Sequence, residues 1–392
     1  MGSRQPLGLL AFAVAAVMSF RLMAQQTPPG AAPVANLTPA QRTAFDEGGR
    51  TFSKTYDIAD GLGPVFNDRS CVACHRGAGG GNRTVTRFAR IENGIFDPLV
   101  ELGGSLIQSR GIGLITTRDG AHDFGGERVP AEANVRTARR TTTALGLGFV
   151  DAVPDDTWLA IAQAEAAADD GTAGRVNVVL NLATGRGAVG KFGWKAQVPS
   201  LLQFSAEALL NEQGITNPQF RDENCQQGDC AALAFNPAPA LNDDGRDVQA
   251  LSDFMTMLAA PVRGAITVNV TAGEAVFAEI GCGSCHLPTL RTGPSPISAL
   301  NQATFQPYSD FLLHDMGALG DGIVQDQSSG RQMRTAPLWG LRTANRLLHD
   351  GSVTSIEQAI QRHDGQARRA RDRFAALDAV RLDALLAFLR SL

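Results

Sequence analysis

Two short motifs carry the clearest chemical signal in the sequence. Residues 71–75 read CVACH and residues 282–286 read CGSCH. Two cysteines three positions apart can form thioether bonds with the vinyl groups of one haem, and the histidine that follows can then bind the iron. We therefore predict two covalently attached haem c groups. Their cofactor-binding residues are Cys71, Cys74 and His75 in the first motif and Cys282, Cys285 and His286 in the second, with His75 and His286 as iron ligands.

Other uses of paired cysteines fit the two motifs less well. A zinc site needs a second CxxC or a histidine pair about 12 to 20 residues away, whereas these motifs are about two hundred residues apart. A thioredoxin-like redox pair needs a βαβ context, which neither motif has. The two remaining cysteines, Cys225 and Cys230, are predicted to form a local disulfide in an oxidising compartment. A redox-active thiol pair is the alternative, but neither residue has CxxC spacing or a basic neighbour.

The N-terminus predicts export. Arg4 is followed by an apolar run over residues 7–20, too short to span a bilayer comfortably, and Ala24 offers a small residue before a cleavage site. We expect residues 1–24 to be a signal peptide, with an uncleaved anchor as the alternative, and residues 25–40 to be a flexible lead-in. No second long apolar run follows. The mature protein is therefore expected in the periplasm, without stable membrane insertion.

Length and composition indicate a folded chain with more than one core. The 392 residues are 44% hydrophobic and 19% charged, and the formal net charge is −4. A chain of this length usually divides into at least two domains. Because the net charge is negative and the basic residues look scattered, nucleic acid and anionic membrane surfaces are not expected as partners.

The chain looks like an internal duplication. A capped helix precedes each motif, in TPAQRTAFDEGGRTF and in TAGEAVFAEIGCGSCH, and residues 247–261 and 379–392 close the two halves with apolar residues at helical spacing. Residues 175–196 alternate around a glycine turn, which predicts a β-hairpin. The expected fold class is mainly α, with two cytochrome c-like haem domains at 41–263 and 264–392 and a small β-hairpin insertion in the first.

One helix face predicts the second ligand of the second iron. Ile356, Ala359, Ile360 and His363 share a face by their i, i+3, i+4, i+7 spacing. His363 therefore points with apolar residues towards the core, and we predict that it binds the iron. A core histidine without a metal is the alternative interpretation.

Other side chains of the second half are predicted to lie around its haem. His349 is an alternative ligand, although a supporting position near the haem edge is preferred for it. His314 has the same predicted supporting position, and Met316 is a further alternative ligand. Arg334 could pair with a haem propionate.

The first half differs at the equivalent point. The segment VPSLLQFSAEALLNEQG resembles TAPLWGLRTANRLLHDGS, which pairs Asn211 with His349. Fourteen residues beyond Asn211 stands Cys225, where the second half has His363. The first iron is therefore expected to have an open face, at which a peroxide or another small oxidant could bind.

An open iron needs acid-base help, because cleaving an O–O bond requires a proton on the departing oxygen. Asp151, Glu212 and Lys195 are the predicted catalytic residues. For each of them, a solvated surface charge is the alternative interpretation.

Several longer segments together resemble a known family. GLGPVFNDRSCVACH, GKFGWKAQVPSLLQFSAEALLNEQGITNPQF, YSDFLLHDMG, RTAPLWGL, LLHDGS and EQAIQRHDGQA are similar to the bacterial di-haem oxidoreductases, also described as thiol oxidoreductases with two cytochrome c haem-binding sites. That family is distantly similar to the di-haem cytochrome c peroxidases. In those relatives one haem meets peroxide and the other relays electrons. The resemblance places His363 at the distal ligand of the electron-relay haem, which implies a haem with two histidine ligands.

Residues and resemblance together predict an exported di-haem c-type oxidoreductase of the peroxidase kind. Electrons would pass through the C-terminal haem to a peroxide-reactive N-terminal haem, and a small electron-transfer protein, a cytochrome or a cupredoxin, would supply them. A non-catalytic periplasmic electron-transfer cytochrome is one alternative, and a di-haem oxygenase of an organic substrate is another. Calcium is not predicted, because the residues that bind it in the peroxidase relatives are not recognisable here.

Overall fold

The structure, a computed structural model, describes residues 28, 30–81 and 83–392. The predicted signal peptide lies outside the described residues. The α-helices are α1 Pro39–Ser53, α2 Cys71–Cys74, α3 Leu147–Asp151, α4 Asp155–Ala168, α5 Leu201–Gln213, α6 Arg246–Met257, α7 Val268–Glu279, α8 Ile356–Gln361, α9 Arg368–Ala375 and α10 Ala379–Leu389. In the part of the chain that is described, none of the helices is both long and apolar enough to cross a bilayer.

The strands are short and mostly paired with near neighbours. They are β1 Val65–Phe66, β2 Thr84–Glu92, β3 Ile95–Asp97, β4 Arg110–Gly111, β5 Gly113–Thr117, β6 Gly120–Phe124, β7 Val135–Arg140, β8 Val178–Asn181, β9 Arg186–Val189, β10 Leu290–Arg291, β11 Thr304–Phe305, β12 Leu313–Asp315 and β13 Gln332–Arg334. The largest described sheet has the antiparallel order β3-β2-β7. The predicted hairpin is present as β8 and β9.

The prediction of a mainly α fold with one small hairpin is too narrow. The structure is 37% helical and 17% strand, which makes the fold mixed. The additional strands lie largely between residues 84 and 140. Asn93 and Gly94 join β2 to β3 with positive φ angles of 53° and 79°. Asn-Gly is the preferred pair for such a tight hairpin turn, because both positions need a left-handed backbone.

Each haem motif is preceded by a helix that crosses the closing helix of its own half at a glycine. In the first half α1 packs on α6, and in the second α7 packs on α10. A side chain at Gly48 would overlap the carbonyl oxygen of Ala250, and one at Gly273 would overlap that of Ala384. These crossings are so close that neither glycine can be replaced without separating the helices.

A phenylalanine four residues after each of these glycines contacts the histidine of the motif. The ring centroid of Phe52 lies 5.9 Å from that of the first motif histidine and 5.2 Å from that of Phe254. The ring of Phe277 lies 6.3 Å from the second motif histidine and 5.2 Å from Phe388. The matched contacts support the internal duplication around the two motifs.

The second pair of aligned segments has different structures in the two halves. The first forms α5, a helix of 13 residues, whereas its partner contains only the 3₁₀ turn Leu341–Thr343. Asn211 and His349 are therefore not structural equivalents, and carrying the ligand position from His363 to Cys225 is wrong. The sequence likeness between these two segments is short and does not extend to their backbones.

The described part of the predicted flexible lead-in is packed against the first half. The amide of Val34 donates a hydrogen bond of 2.8 Å to the carbonyl oxygen of Met257, and the Val34 side chain is buried. Thr38 then caps α1 in a capping box with Gln41. Pairing with the end of α6 fixes this segment.

Two hydrophobic clusters form most of the core. The larger cluster surrounds α1, α5 and α6 and also includes Phe305, Phe311 and Trp339 from beyond residue 263. The smaller cluster surrounds α7 and α10. The predicted domain limits, 41–263 and 264–392, remain predictions, and side chains of the second half contribute to the larger core.

Candidate haem-binding sites

The second motif opens into a cavity of about 730 Å³. Cys282, Cys285 and His286 line this cavity, and so does His363. The other residues of the predicted helix face, Ile356, Ala359 and Ile360, line it too. Ser355 caps α8, and His363 follows the end of this helix with its amide bonded to the carbonyl oxygen of Ile360 at 3.0 Å. The volume and the mixed apolar and polar lining are typical of cofactor pockets.

Two of the histidines that line this cavity are oriented through the same ring nitrogen. Nδ1 of His286 lies 2.9 Å from the carbonyl oxygen of Tyr308, and Nδ1 of His363 lies 2.8 Å from that of Ala359. Because a carbonyl oxygen only accepts, each Nδ1 carries the proton and each Nε2 is left with a free lone pair. Burial lowers the pKa of His286 to about 4 and also lowers that of His363. Two neutral, oriented imidazoles fit a haem iron with two histidine ligands.

His349 and Arg334 line the same cavity. The buried ring of His349 lies 6.3 Å from that of Trp194, and burial lowers its pKa. Arg334 donates from Nε to the carbonyl oxygen of Gly193 at 2.6 Å, and from a terminal nitrogen to that of Thr335 at 2.9 Å. Both residues are therefore placed beside the second site, and their supporting roles remain predictions. Met316, the weaker ligand alternative, also lines the cavity.

His314 lies beside the second cysteine of this motif. Its Nε2 is 2.9 Å from Asp310 Oδ2, and its Nδ1 is 3.5 Å from Cys285 Sγ. Although burial opposes the charged ring, the hydrogen bonds to Asp310 and Cys285 hold the pKa of His314 well above its usual value. One donor atom from each of these three residues lies within 4.8 Å of the others, close enough to hold a metal ion. A metal ion there and a thioether at Cys285 are mutually exclusive, since a thioether sulfur is no longer a thiolate.

The first motif carries the same anchoring residues on the short helix α2. Burial and neighbouring groups raise the pKa of Cys71 to about 12 and that of Cys74 to about 11. Thiols held protonated in this way are poor redox nucleophiles. Burial also lowers the pKa of His75 to about 4, which leaves the imidazole neutral and able to bind a metal. The residues fit a haem with His75 as one ligand.

A half-buried group of ionisable side chains lies near the cysteines of the first motif. Glu212, at the end of α5, is close enough to raise the pKa of Cys71 and Cys74 electrostatically. Burial raises its own pKa, against a hydrogen bond from Asn67 and the charge of Arg87. The main-chain oxygen of Glu212 accepts the amide of Asn67 at 2.9 Å, which fixes the end of α5 against the segment leading into the motif.

Sequence reasoning missed two members of this group. Burial raises the pKa of Glu207, also on α5, to about 7, and Arg87 and Glu212 both interact with it. Burial lowers the pKa of Arg87, on β2, to about 10. Glutamates at 207 and 212 of an otherwise largely apolar helix were a visible signal, but nothing in the sequence places Arg87 opposite them.

The other two predicted catalytic residues have structural positions, and neither lines the second cavity. Asp151 Oδ2 accepts the amide of Leu201 at 3.4 Å, at the start of α5. Lys195 is completely buried and lies 2.9 Å from Asp321. Its Nζ also donates to the carbonyl oxygens of Ser329 and Gln332 at 3.0 and 2.5 Å. The ammonium of Lys195 is thus fully occupied by structural partners, and Asp151 accepts the first amide of α5. The catalytic roles of both residues remain predictions.

No histidine is left for the other face of the first iron. All six histidines of the chain lie within the described residues, and those at 286, 314, 349 and 363 surround the second cavity. His122 lies on β6, with Nε2 2.9 Å from Gln226 Oε1. Of the described methionines, Met255 and Met257 are in the core, and Met316 and Met333 line the second cavity.

The two sites are neighbours. Arg76, Gly77, Gly79 and Gly80, which follow directly after His75, line the cavity of the second motif. The loop that carries the first iron ligand is thus part of the wall around the second site. Cys225 and Cys230 form a disulfide with each other within the segment that connects α5 to α6. Neither cysteine lines the second cavity.

A family model described as di-haem oxidoreductase, putative peroxidase, matches residues 128–392. The chain belongs to this family. The matched part is more than half of the chain and contains the second motif and His363, while the first motif precedes it. The protein is accordingly a haem-dependent oxidoreductase of a family that uses two haem groups.

Solved structures show weaker likenesses to this di-haem oxidoreductase. Hydrazine synthase from Kuenenia stuttgartiensis is 13% identical, with 99% of this chain and 100% of that chain covered and a TM-score of 0.39. A MauG-like protein associated with microbial copper homeostasis is 16% identical over 94% and 93% of the chains, with a TM-score of 0.40. The diheme peroxidase BthA from Burkholderia thailandensis is 14% identical over 92% and 87%, also with a TM-score of 0.40. Scores this low support no conclusion, and no curated protein matches the chain.

Proposed function

We propose that this protein is an exported peroxidase with two covalently attached haem c groups. One observation carries the proposal. The second site has two neutral histidines with free Nε2 atoms on one cavity, whereas the first site has one histidine and, near its cysteines, half-buried carboxyl groups with raised pKa values. A strong ligand on both faces favours electron transfer, and an open face permits chemistry.

The second site would relay electrons to the first. Its two histidine ligands would change little between oxidation states, which suits a relay. The residues after His75 form part of its wall, so the path between the sites is short. A small electron-transfer protein would supply the electrons, one at a time.

The first site would reduce peroxide. A haem bound there supplies the redox chemistry, and the chain must supply a proton and a fixed charge. Glu207 has a pKa of about 7 and so still carries its proton in part of the population at neutral pH. Glu207 or Glu212 would give this proton to the departing oxygen. Arg87, held by a 3.1 Å hydrogen bond to Ser105, would stabilise negative charge nearby.

EPR and optical spectra of the purified protein, with and without peroxide, test the proposal. We expect a low-spin signal from the second haem and a high-spin signal from the first, and the high-spin signal should change when peroxide is added. Two low-spin haems indifferent to peroxide, in both the oxidised and the half-reduced protein, would remove the peroxidase function and leave an electron-transfer cytochrome.

Covalent attachment and export need separate tests. Haem that stays with the chain in denaturing electrophoresis, at two per chain, supports thioether bonds at both motifs. Zinc in place of the second haem would instead favour the metal site at Cys285, Asp310 and His314. For export, N-terminal sequencing of the periplasmic fraction should find a chain that begins after Ala24.

A further inference from the structure

One short segment carries a strong positive charge. Residues 362–373 contain five arginines and two aspartates, a net charge of +3 in a chain whose net charge is −4. Four of these arginines lie on α9, with the sequence RRARDRFA. Basic residues are therefore concentrated here, contrary to the expectation that they are scattered. We call Arg362, Arg368, Arg369, Arg371 and Arg373 the arginine surface.

The internal contacts of this surface leave part of its charge free. Arg368 pairs with Asp364 at 2.9 Å. Arg371 pairs with Asp372 at 2.8 Å and donates to the carbonyl oxygen of His363 at 3.0 Å. Arg369 and Arg373 are exposed and form no ion pair with any described residue. Their charges therefore face solvent.

The free arginines lie where the second cavity meets the surface. An open groove of about 600 Å³ runs along α9, and Arg369 and Arg373 line it. The same two residues also line the cavity that contains His286 and His363. The groove and the haem cavity thus share a wall formed by these two arginines. Three arginines and two aspartates, Asp170 and Asp372, line the groove, which leaves it with a positive net charge.

We propose that the arginine surface docks an acidic redox protein that reduces the second haem. This proposal rests on the relay role proposed above, and it specifies the charge and position of the partner. Complementary charge raises the rate of encounter by about 10- to 1,000-fold at low salt. In the transfer, the ferrous partner loses one electron and becomes ferric, and the ferric second haem gains that electron and becomes ferrous.

Arginines beside a haem can instead bind its propionates. That role would make Arg369 and Arg373 part of the haem site, so losing them would change the spectrum and slow every reductant. A docking role would slow only an acidic partner. The two roles therefore predict different results for the same variant.

Stopped-flow reduction of the holoprotein, without peroxide, tests the proposal. One probe is a lysine-rich ferrous cytochrome c, and the other is the same cytochrome with its lysines succinylated, which makes it acidic. For the double variant Arg369→Gln/Arg373→Gln we expect the rate with the acidic probe to fall about tenfold at low salt. The loss should disappear as added salt screens the charges. Arg186 is an exposed arginine on β9 that forms no ion pair with any described residue, so Arg186→Gln is the control and should lose little.

Three results would overturn docking at this surface. The first is an equal fractional loss with the acidic and the lysine-rich probes. The second is an equal loss in Arg186→Gln. The third is a slower reduction by hydroquinone, a neutral small reductant, or an altered haem spectrum, either of which would assign the arginines to the propionates.

The test separates this proposal from the proposed function. Since no peroxide is present, a first haem that ignores peroxide would leave the docking result unchanged. If neither protein probes nor hydroquinone reduce the second haem, the relay role fails, and the docking proposal fails with it.

Discussion

The two halves begin from the same five-residue motif and surround it differently. Around the second motif, His286 and His363 each use Nδ1 on a main-chain carbonyl and keep Nε2 free. Around the first, Glu212 acts on the two cysteines of the motif, Glu207 and Arg87 interact with Glu212, and the described residues offer no second histidine. The anchors and the phenylalanine behind each histidine are conserved between the halves. Under the proposed function, the remaining wall is what makes the second site a relay and the first a place for chemistry.

The largest effect is expected from removing the second histidine of the relay site. In His363→Gly the low-spin signal of the second haem should be lost, and peroxide turnover with a protein donor should fall about 100-fold, because one strong ligand is gone. EPR and steady-state kinetics measure the two effects. His122→Gly, outside both sites, is the control. If the low-spin signal persists in His363→Gly, then His349 or Met316 is the ligand.

The next effect should be confined to the first site. Glu212→Gln keeps the size of the side chain and removes the acid, so the peroxide step should slow about 100-fold while the second haem's spectrum stays the same. Glu223→Gln is a matched control, because burial raises the pKa of both glutamates and Glu223, beside Asn236, does not lie at the first motif. Equal losses in both variants would mean that the effect comes from burial of a carboxyl and not from its place at the first motif.

The dependence on pH should also distinguish the halves. The folded pKa of Glu207, about 7, lies above its ordinary value of 4.5. As pH rises from 6 to 8 the protonated fraction falls about tenfold, and the peroxide step should fall with it. Glu207→Gln should flatten this profile, and reduction of the second haem should not follow it. A profile that rises with pH would mean that the group acts as a base.

The raised pKa of Glu207 also predicts how the stability of the fold depends on pH. Because folding raises the pKa of Glu207, the charged carboxylate is disfavoured in the folded state. Stability should therefore fall as pH rises from about 4.5 to about 7, and Glu207→Gln should remove that fall. Denaturant unfolding at several pH values measures it, with Glu223→Gln as the comparison.

The smallest effect is expected at the disulfide. Replacing Cys225 and Cys230 with serine opens a loop with a sequence separation of 5, which should lower the free energy of unfolding by about 2 kcal/mol. Both haem spectra should stay the same, because the two cysteines do not line the second cavity and do not belong to the group of ionisable side chains near the first motif. A change in the first haem's spectrum would mean that this segment contributes to the first site.

Local patterns could be predicted from the sequence. The spacing of Ile356, Ala359, Ile360 and His363 found the residues that line the second cavity, although α8 ends at Gln361. The capped start of α1 and the β8–β9 hairpin also followed from short-range rules. In each case the residues that decide the structure are close together in the chain.

What the sequence did not reveal depends on contacts between distant residues. Lys195 looked like a free base, but Asp321 and two carbonyl groups surround it in the fold. The raised pKa of Glu207 comes from burial in the fold, and β2 places Arg87 close enough to oppose that shift. The sheet of β3, β2 and β7 differs from these cases, because the Asn93-Gly94 turn between β2 and β3 is a local signal in the sequence.

The buried ammonium of Lys195 has one more consequence. A carboxylate and two carbonyl oxygens are the ligands that hard cations such as Ca²⁺ or Na⁺ usually take in proteins, and here they meet a cation that is part of the chain. Arg139 holds the other oxygen of the same carboxylate at 2.7 Å, so the segment that carries Asp321 is fixed by two side chains of the first half. A covalently attached cation cannot be removed by dilution or by a chelator. The contact of Asp321 with Lys195 and Arg139, which connects the two halves, should therefore persist in EDTA.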